Sequence, residues 1–389
     1  MSIMANWSRK LRNDAFPQDS LCVIVNLSPF VILTLNEVKG KNLAFLLRVN
    51  SVKQSLRKEG LKMRNLKLSF ILSMIAFLCF IFVGVVNAIS AEKTIRIGSA
   101  FLKGHILVDA AEKFKELIEG ASGGRIAVQL QLGGKSEEEI VNLNSAGAFE
   151  IQSNGTQFLQ LKAPPYYFFT NPYVMKDFEH YMRVWDGKLG QQACVEMEKN
   201  ANLKYLGTIY RGMRQMTAKK PIYTPADVYG VKMRLPVIAP WIAVWKAIGA
   251  DPVPLTLPDL YPGLKSGKAE ASEGDVSQIT SFKLDEVQTH LIMTNHLAQT
   301  GGMLIYKPFF DGLSKADQTL VTMAAKQACD WANAKMKASE FSYVLELQRK
   351  GMQVVIPDAD SFRAMAKPTV EQLFKTDWPV TTWGEVLGQ

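Results

Sequence analysis

Apolar and polar positions alternate with two different periods from Lys93 onward, which predicts strands and helices in turn. Apolar residues dominate every second position of Ile126–Leu132, a pattern typical of a strand, and a short strand is also expected at Thr94–Gly98. Between them, the apolar residues of His105–Ile118 recur at three- and four-residue spacing, which predicts one helix. This repeated order predicts an α/β protein with parallel strands.

The same two periods continue to the end of the chain. Further strands are predicted at residues 148–153, 205–210, 231–235, 252–255 and 304–306. Further helices are predicted at residues 137–146, 176–200, 239–248, 258–266 and 315–350. Two of these helices begin with recognisable caps. Ser136 and Glu139 form a capping box, and Ser314 precedes an acidic first turn.

The last of these helices is unusually long. At about 1.5 Å per residue, a helix from Ser314 to about Lys350 extends roughly 50 Å, which is too long for one compact lobe. We therefore expect two α/β lobes with this helix spanning both and a ligand cleft between them. Lobe I is assigned to residues 92–211 with 300–339, and lobe II to residues 212–299 with 340–389.

Positive charge is concentrated in the N-terminal segment. The formal net charge is +9, but residues 1–91 hold 12 Lys and Arg against 4 Asp and Glu, whereas the remainder holds 33 against 32. The remainder therefore carries no excess of positive charge that would attract a polyanion, and we expect no nucleic-acid partner.

A secretory signal explains the N-terminal charge. Cations follow Met63, residues 68–86 are almost wholly apolar, and small residues precede Glu92. Together they predict a signal peptide at residues 63–91 and export to the periplasm. The apolar run is also long enough to span a bilayer, so an uncleaved anchor is the alternative. Because a complete signal peptide begins at Met63, residues 1–62 are interpreted as a mis-assigned extension, with a genuine basic extension as the alternative.

Cysteine and histidine usage argues against a metal or a disulfide. Cys194 and Cys329 are the two cysteines of the exported part, and both fall in predicted helices, where buried free thiols are common. The sequence has no CxxC motif, and its four histidines lack metal-binding spacing. We therefore expect two free thiols, with one disulfide between them as the alternative, and no cofactor.

The exported chain also lacks the usual parts of an enzyme. It contains no GxSxG motif, no P-loop and no GxGxxG after its first strand. The adjacent carboxylates Glu137, Glu138 and Glu139 are explained by a solvated, capped helix start. We therefore expect no catalytic activity.

Arg234 is the most unusual residue, because a permanent cation lies within the apolar stretch 230-GVKMRLP-236. Burying an unpaired guanidinium is strongly unfavourable, so this side chain needs a partner or an exit to water. It could pair with an internal carboxylate, reach the surface, or face a cleft and bind an anion. Pro236 indicates that the strand ends here, and α/β proteins bind ligands at strand ends.

Several ordered blocks resemble a known family. They are 104-GHILVDAAEKFKELIEGASGGRIAVQL-130, 224-TPADVYGVKMRLP-236, 247-AIGADPVPLTLPDLYPGLKSGKAEASEG-274 and 286-EVQTHLIMTNH-296. Together they resemble the substrate-binding proteins of TRAP transporters (tripartite ATP-independent periplasmic transporters) over about residues 95–380. The resemblance implies a two-lobe periplasmic binding protein fold. It also implies a solute-binding component that captures a small organic acid and delivers it to the membrane permease subunits.

The resemblance also implies roles for two arginines. Arg234 matches the arginine of the family's K-x-R-hydrophobic-P motif, which forms a salt bridge with the ligand carboxylate. Arg214 matches a second arginine that assists in the sialic-acid binders, although a surface or inter-lobe ion pair is its alternative. Trp241 lies just after the arginine strand and is a candidate for lining the cleft, with core packing as the simpler interpretation.

The sequence departs from the family pattern at positions that bear on the ligand. Gly274 stands where many members have an asparagine that contacts the ligand. Asp275 beside it either binds ligand hydroxyls or an amine, or points to solvent. Leu257 replaces an aromatic residue of the sialic-acid binders, and Asn154 precedes Gly155, where those binders have a glutamate. Sialic acid is therefore disfavoured.

The function that the sequence predicts is capture of a small carboxylate-containing solute by a monomer. The alternatives are a ligand-sensing binding protein and, with less support, a periplasmic enzyme.

Overall fold

The computed structural model describes residues 92–389, so the predicted extension, signal peptide and anchor lie outside the described residues. Within that range, no helix is both long enough and apolar enough to cross a bilayer. The strands in the same range form one mixed sheet. They are β1 (Lys93–Ser99), β2 (Ile126–Leu132), β3 (Ile151–Gly155), β4 (Leu203–Ala218), β5 (Lys232–Leu235), β6 (Asp251–Pro254), β7 (Ala271–Asp275), β8 (His290–Tyr306) and β9 (Gln353–Val355).

Helices connect these strands, as the alternating pattern predicts. In the first half they are α1 (Ile106–Ala121), α2 (Glu137–Ser145), α3 (Gln157–Lys162), α4 (Phe178–Asp186), α5 (Lys188–Ala201), α6 (Pro225–Val228) and α7 (Ala239–Ile248). In the second half they are α8 (Leu257–Lys265), α9 (Val276–Ser281), α10 (Lys307–Asp311), α11 (Lys315–Arg349), α12 (Ala359–Thr376) and α13 (Trp383–Leu387). Short 3-10 helices cover Pro164–Thr170 and Leu284–Glu286.

The sheet consists of two parallel units joined by a central antiparallel pair. Its strand order is β2-β1-β3-β8-β4-β7-β5-β6, with β9 beside β8. On one side β1 runs parallel to β2 and β3, and on the other β5 runs parallel to β6 and β7. Between them, β4 and β8 run antiparallel to each other, β4 runs antiparallel to β7, and β8 runs antiparallel to β3 but parallel to β9. This arrangement confirms the predicted α/β class.

The central pair is much longer than the sequence pattern predicts. The strands expected at 205–210 and 304–306 are fragments of β4, which spans 16 residues, and of β8, which spans 17. The pairing register of β4 shifts between Tyr210 and Gly212 and again between Arg214 and Met216. These bulges interrupt the two-residue alternation, which is the signal that a strand prediction depends on.

The long helix is confirmed. Helix α11 has 35 residues, and Ser314 caps it by accepting a hydrogen bond from the Asp317 N–H. It packs against α1 and β4. Its buried face carries small residues such as Ala325, Ala328 and Ala332, which allow the close approach.

Other helix predictions succeed or fail for local reasons. Helix α7 has the predicted bounds, and the capping box of α2 is present at Ser136 and Glu139. The single helix predicted at 176–200 is two helices, because the extended backbone of Gly187 ends α4 and begins α5. Cys194 on α5 and Cys329 on α11 are both free thiols.

Candidate functional site

One narrow cavity lies beside the carboxyl ends of β3 and β5, which is where α/β proteins bind ligands. Its free volume is about 20 Å³, which is room for about one water molecule. Its charged lining residues are Arg211, Arg214, Arg234 and Glu137. Its neutral polar lining residues are Thr156, Gln157, Gln278 and Gln299. Pro236, Ile238, Trp241 and Leu257 complete the wall. The cavity therefore combines cations and neutral amides with an apolar side.

A wider surface groove of about 750 Å³ runs beside α12 and α13 and shares no residue with this cavity. Its cations, such as Arg363 and Lys367, are exposed to solvent. Water screens exposed charges and weakens their pairing with an anion. The narrow cavity, whose arginines are buried, is therefore the better candidate for binding an anion.

Arg234 is buried at the end of β5 without a carboxylate partner. Its side chain is 1% exposed. Both Nε and Nη2 donate to the carbonyl oxygen of Leu255, at 3.0 and 2.7 Å. Within residues 92–389, no Asp or Glu side chain forms an ion pair with it. Burial, opposed by the more distant charge of Glu273, lowers the pKa of Arg234 to about 10. This guanidinium is therefore a desolvated cation that has a carbonyl oxygen, but no carboxylate, as its partner among the described residues.

Arg214, in contrast, has an internal partner. Its Nε and Nη2 both donate to the carboxylate of Glu273, with a distance of 2.7 Å for Nη2 to Oε1. Burial opposes ionisation of Glu273, but Arg214 and the ring of His296 outweigh it and lower the pKa of that carboxyl to about 2. His296 Nε2 lies 3.1 Å from Oε2, and its pKa is lowered by burial. Arg214 therefore fits the ion-pair alternative, while its Nη1 reaches the cavity wall at Gln299.

Arg211 forms the same kind of buried ion pair in another part of the cavity wall. Its Nε and Nη2 donate to Oδ2 of Asp275 at 3.0 and 2.7 Å. The other carboxylate oxygen accepts from the Gln278 N–H and the Ser277 hydroxyl. His105 Nε2 lies 3.5 Å from Oδ1. Burial opposes ionisation, but Arg211 and His105 hold the pKa of Asp275 well below its ordinary value.

A bulge in β4 brings Arg211 and Arg214 to the same cavity. Residues three apart on a regular strand point to opposite faces of the sheet. Here Gly212 adopts a φ of 95°, and the register shifts across it. Helix α11 stabilises the bulge, because Glu340 accepts from the Met213 N–H at 2.6 Å and Asn333 accepts from the Tyr210 N–H at 2.6 Å.

Glu137 faces the three arginines from α2. Its Oε1 is buried and has no hydrogen-bond partner, and no Lys or Arg of residues 92–389 forms an ion pair with it. Burial raises the pKa of Glu137, while the charges of the arginines oppose the rise. A Cβ at Gly155 would lie 1.9 Å from this oxygen and 2.7 Å from Nη1 of Arg211. Only glycine at 155 leaves room for the carboxylate. The capped helix start is present and Glu137 is half-buried as a residue, but its Oε1 is shielded from water, which a solvated helix start does not predict.

The structure brings four of the seven predicted site residues together. Arg234, Arg214, Leu257 and Trp241 all line the cavity. The indole Nε1 of Trp241 donates to the Thr170 carbonyl at 2.9 Å, and its ring lies 4.8 Å from the Arg214 guanidinium carbon.

The other three predicted residues lie behind the cavity wall. Asn154 is fully buried, and its amide joins the Ala100 N–H to the Glu137 carbonyl. Asp275 neither points to solvent nor has an oxygen left for a ligand, because all its acceptor positions are directed to Arg211 and α9. A Cβ at Gly274 would lie 2.9 Å from the Gln278 amide nitrogen, so the absence of a side chain at Gly274 leaves room for the Gln278 side chain.

Several lining residues escaped sequence reasoning, namely Glu137, Thr156, Gln157, Arg211, Gln278 and Gln299. Arg211 opens the stretch 211-RGMRQMTA-218, so a second arginine close to Arg214 was the available signal. Within residues 92–389, no group of three His, Cys, Asp or Glu side chains is placed to hold a metal ion.

Comparisons with known proteins agree on one family. A sequence model described as "Bacterial extracellular solute-binding protein, family 7" matches residues 97–377. A solute-binding protein of Roseobacter denitrificans is 30% identical over 287 residues, which cover 73% of this chain and 87% of that protein.

Solved structures agree with the sequence comparison. A TRAP periplasmic solute-binding protein from Roseobacter denitrificans with bound L-galactonate superposes with a TM-score of 0.71 at 27% identity, covering 76% of this chain and 99% of that chain. Another, from a Polaromonas species and bound to D-erythronate, gives 0.71 at 25% identity, covering 76% and 98%.

These comparisons define a binding protein rather than an enzyme, as the sequence predicts. The chain belongs to family 7 of the bacterial extracellular solute-binding proteins, the solute-binding components of TRAP transporters.

Proposed function

We propose that this protein captures a small hydroxylated organic acid through a salt bridge between the ligand carboxylate and Arg234. The observation that carries the proposal is the environment of Arg234, which is buried in the cavity with only a carbonyl oxygen as partner. A guanidinium fork suits a carboxylate, because two parallel N–H donors match two oxygens. The amides of Gln157, Gln278 and Gln299 then serve ligand hydroxyls, and Gln278 Nε2 is a buried donor without an acceptor.

The bound relatives support this class of ligand. L-galactonate and D-erythronate, bound in the two solved structures, are both monocarboxylates with several hydroxyl groups. A cavity with one unpaired cation and several neutral amides suits that combination of groups.

Closure of two lobes over the ligand is part of the proposal. The predicted boundaries at 211/212 and 299/300 lie opposite each other on β4 and β8, since Gly212 pairs with Gln299. The register shift of β4 falls at the same place. The third boundary, at 339/340, lies beside Glu340, which contacts that bulge. Three crossings that lie side by side in this way suit a hinge, which we place there.

The test is a thermal-shift and calorimetric screen of small acids on the purified protein, beginning with L-galactonate and D-erythronate. At least one acid is expected to stabilise the wild type. Arg234→Met is expected to weaken it at least 100-fold, which corresponds to about 2.7 kcal/mol. Lys232→Met is the matched control, because Lys232 is an exposed cation on the same strand. Equal binding by wild type and Arg234→Met, or stabilisation only by neutral sugars, would contradict the proposal.

Delivery to a TRAP membrane permease, and a periplasmic location, complete the proposed function. Both rest on membership of the family. Uptake of a labelled acid by cells that carry the permease should require this protein in the periplasm. N-terminal sequencing of the mature protein should start near Glu92 if residues 63–91 are a cleaved signal peptide.

A further inference from the structure

The charges that face the cavity do not cancel in pairs. Arg211 is neutralised by Asp275 and Arg214 by Glu273. Two charges remain without a direct partner, the cation of Arg234 and the carboxyl of Glu137. Both line the same cavity. The cavity therefore holds both a cation suited to an anion and an acidic group of its own.

The acidic group is built into the fold rather than left over at the surface. Glu137 is the first residue of α2, fixed there by the capping box of Ser136 and Glu139. Gly155 supplies the space for its Oε1, and the side chain of Asn154 donates to its carbonyl oxygen at 3.3 Å. Its Oε1 is buried, and among residues 92–389 no donor forms a well-aligned hydrogen bond with it, although the Gly155 N–H lies close enough to oppose the rise in its pKa. A buried acceptor without a donor is unfavourable unless a bound molecule supplies one.

We take Glu137 as ionised at neutral pH, because the charges of the three arginines oppose the rise in its pKa that burial causes. An ionised carboxylate accepts hydrogen bonds and cannot donate them. A ligand hydroxyl beside Glu137 would therefore be favourable. A second ligand carboxylate at the same place would be repelled, since two like charges in a poorly hydrated site disfavour each other strongly. The arginines cannot relieve this repulsion, because Arg211 and Arg214 already have internal carboxylate partners.

We propose that Glu137 makes the site selective for acids with a single carboxylate, because its unpaired carboxylate binds ligand hydroxyl groups and excludes a second ligand carboxylate from the same cavity. This inference rests on the proposed function, because it assumes that the ligand carboxylate is bound by Arg234. It predicts that the protein binds hydroxylated monocarboxylates more tightly than dicarboxylates of the same length.

The test compares ligands that differ only at the second end. L-galactonate is paired with galactarate, and D-erythronate with meso-tartrate, which carry a second carboxylate in place of the terminal hydroxymethyl group. Wild-type protein is expected to bind at least one monocarboxylate at least tenfold more tightly than its dicarboxylate partner. Glu137→Gln is expected to reduce that ratio at least tenfold, since it keeps the shape and removes the charge.

Two further variants separate charge from structure. Glu137→Asp keeps the charge and should keep the preference. Glu137→Ala, which removes the carboxylate without adding bulk, should reduce the ratio as Glu137→Gln does, and it replaces Glu137→Gln if the latter does not fold. Glu116→Gln, at an exposed position of α1, should leave all affinities unchanged. A wild type that binds both members of a pair equally, or a preference that survives Glu137→Gln, would overturn the inference.

The two proposals fail in different ways. If the monocarboxylates bind and depend on Arg234 but the dicarboxylates bind as well, only the selectivity of Glu137 is refuted. If none of the four acids binds, or binding ignores Arg234→Met, the proposed function fails and this inference falls with it.

Discussion

Three arginines line one cavity, yet the β4–β7 region and the end of β5 treat their arginines differently. On β4, Arg211 and Arg214 each bind a carboxylate that β7 supplies, and a histidine lies against each carboxylate. At the end of β5, Arg234 has only a carbonyl oxygen. All three side chains are at most 3% exposed, so burial does not distinguish them.

The difference teaches that an internal carboxylate partner, rather than burial, distinguishes Arg211 and Arg214 from Arg234, the arginine for which we propose ligand binding. A buried ion pair stabilises little overall, but removing one member leaves an uncompensated buried charge. A buried cation without a carboxylate is itself unfavourable until a ligand arrives. The two kinds of arginine should therefore respond in opposite ways to the same substitution.

The largest expected effect is on stability. Arg214→Met should lower the free energy of unfolding by about 3–5 kcal/mol, because Glu273 would stay buried without its main partner. Arg234→Met, a matched change in the same cavity, should leave the ligand-free protein equally stable or more stable. Urea unfolding followed by tryptophan fluorescence measures both. Equal losses in the two variants would refute the distinction between paired and unpaired arginines.

Acid provides a second test of the same contrast. The pKa of Glu273 is about 2 in the folded protein, while an unfolded glutamate titrates near about 4.3. The stabilisation of the folded state by ionised Glu273 is therefore fully present above about pH 4.5 and is lost progressively as the pH falls toward about 2. It amounts to about 1.4 kcal/mol for each unit by which the folded and unfolded pKa values differ. The pKa of Arg234 is lowered to about 10, so this side chain stays charged throughout that acid range. The unfavourable effect of its buried charge on the stability of the folded protein is therefore constant there.

Unfolding measured from pH 8 to pH 3 should therefore give a curve for Arg234→Met that runs parallel to the wild type. The double variant Arg214→Met/Glu273→Leu removes the whole pair and should lose less stability in acid than the wild type. A double variant that is as acid-sensitive as the wild type would place the acid response outside this pair.

The smallest expected effect concerns the wall beside the paired arginines. Trp241 and Trp245 are both buried on α7, but only the Trp241 indole has a hydrogen-bond acceptor, and its ring lies over Arg214. Trp241→Phe should therefore lower the free energy of unfolding by about 1–2 kcal/mol more than Trp245→Phe. Thermal unfolding of both variants measures the difference, and a larger loss for Trp245→Phe would contradict it.

Local signals made much of the fold predictable. The amphipathic period and flanking residues gave α7 its bounds, and two side-chain caps marked the starts of α2 and α11. The full lengths of β4 and β8 were not predictable. Their bulges and buried polar residues break the alternation, and the pairing that holds them together joins segments far apart in the chain.

The site was predictable only where one residue carried the signal. Arg234 stood out as a cation at the end of an apolar strand, and its motif matched a family. Arg211 did not, since its place in the cavity depends on the bulge at Gly212. Glu137 looked like an ordinary helix start, because its burial depends on Gly155, which is 18 positions further along the sequence.

The position of β8 in the sheet also governs how the chain can fold. Strands β2, β1 and β3 join the remaining strands only through β8, and residues 151–155 of β3 pair with residues 301–305. During synthesis, one edge of β3 therefore stays open until about 150 further residues have been made. Such non-local pairing slows folding, and an open strand edge invites pairing with other chains. Newly made chains should thus depend on chaperones until β8 is complete.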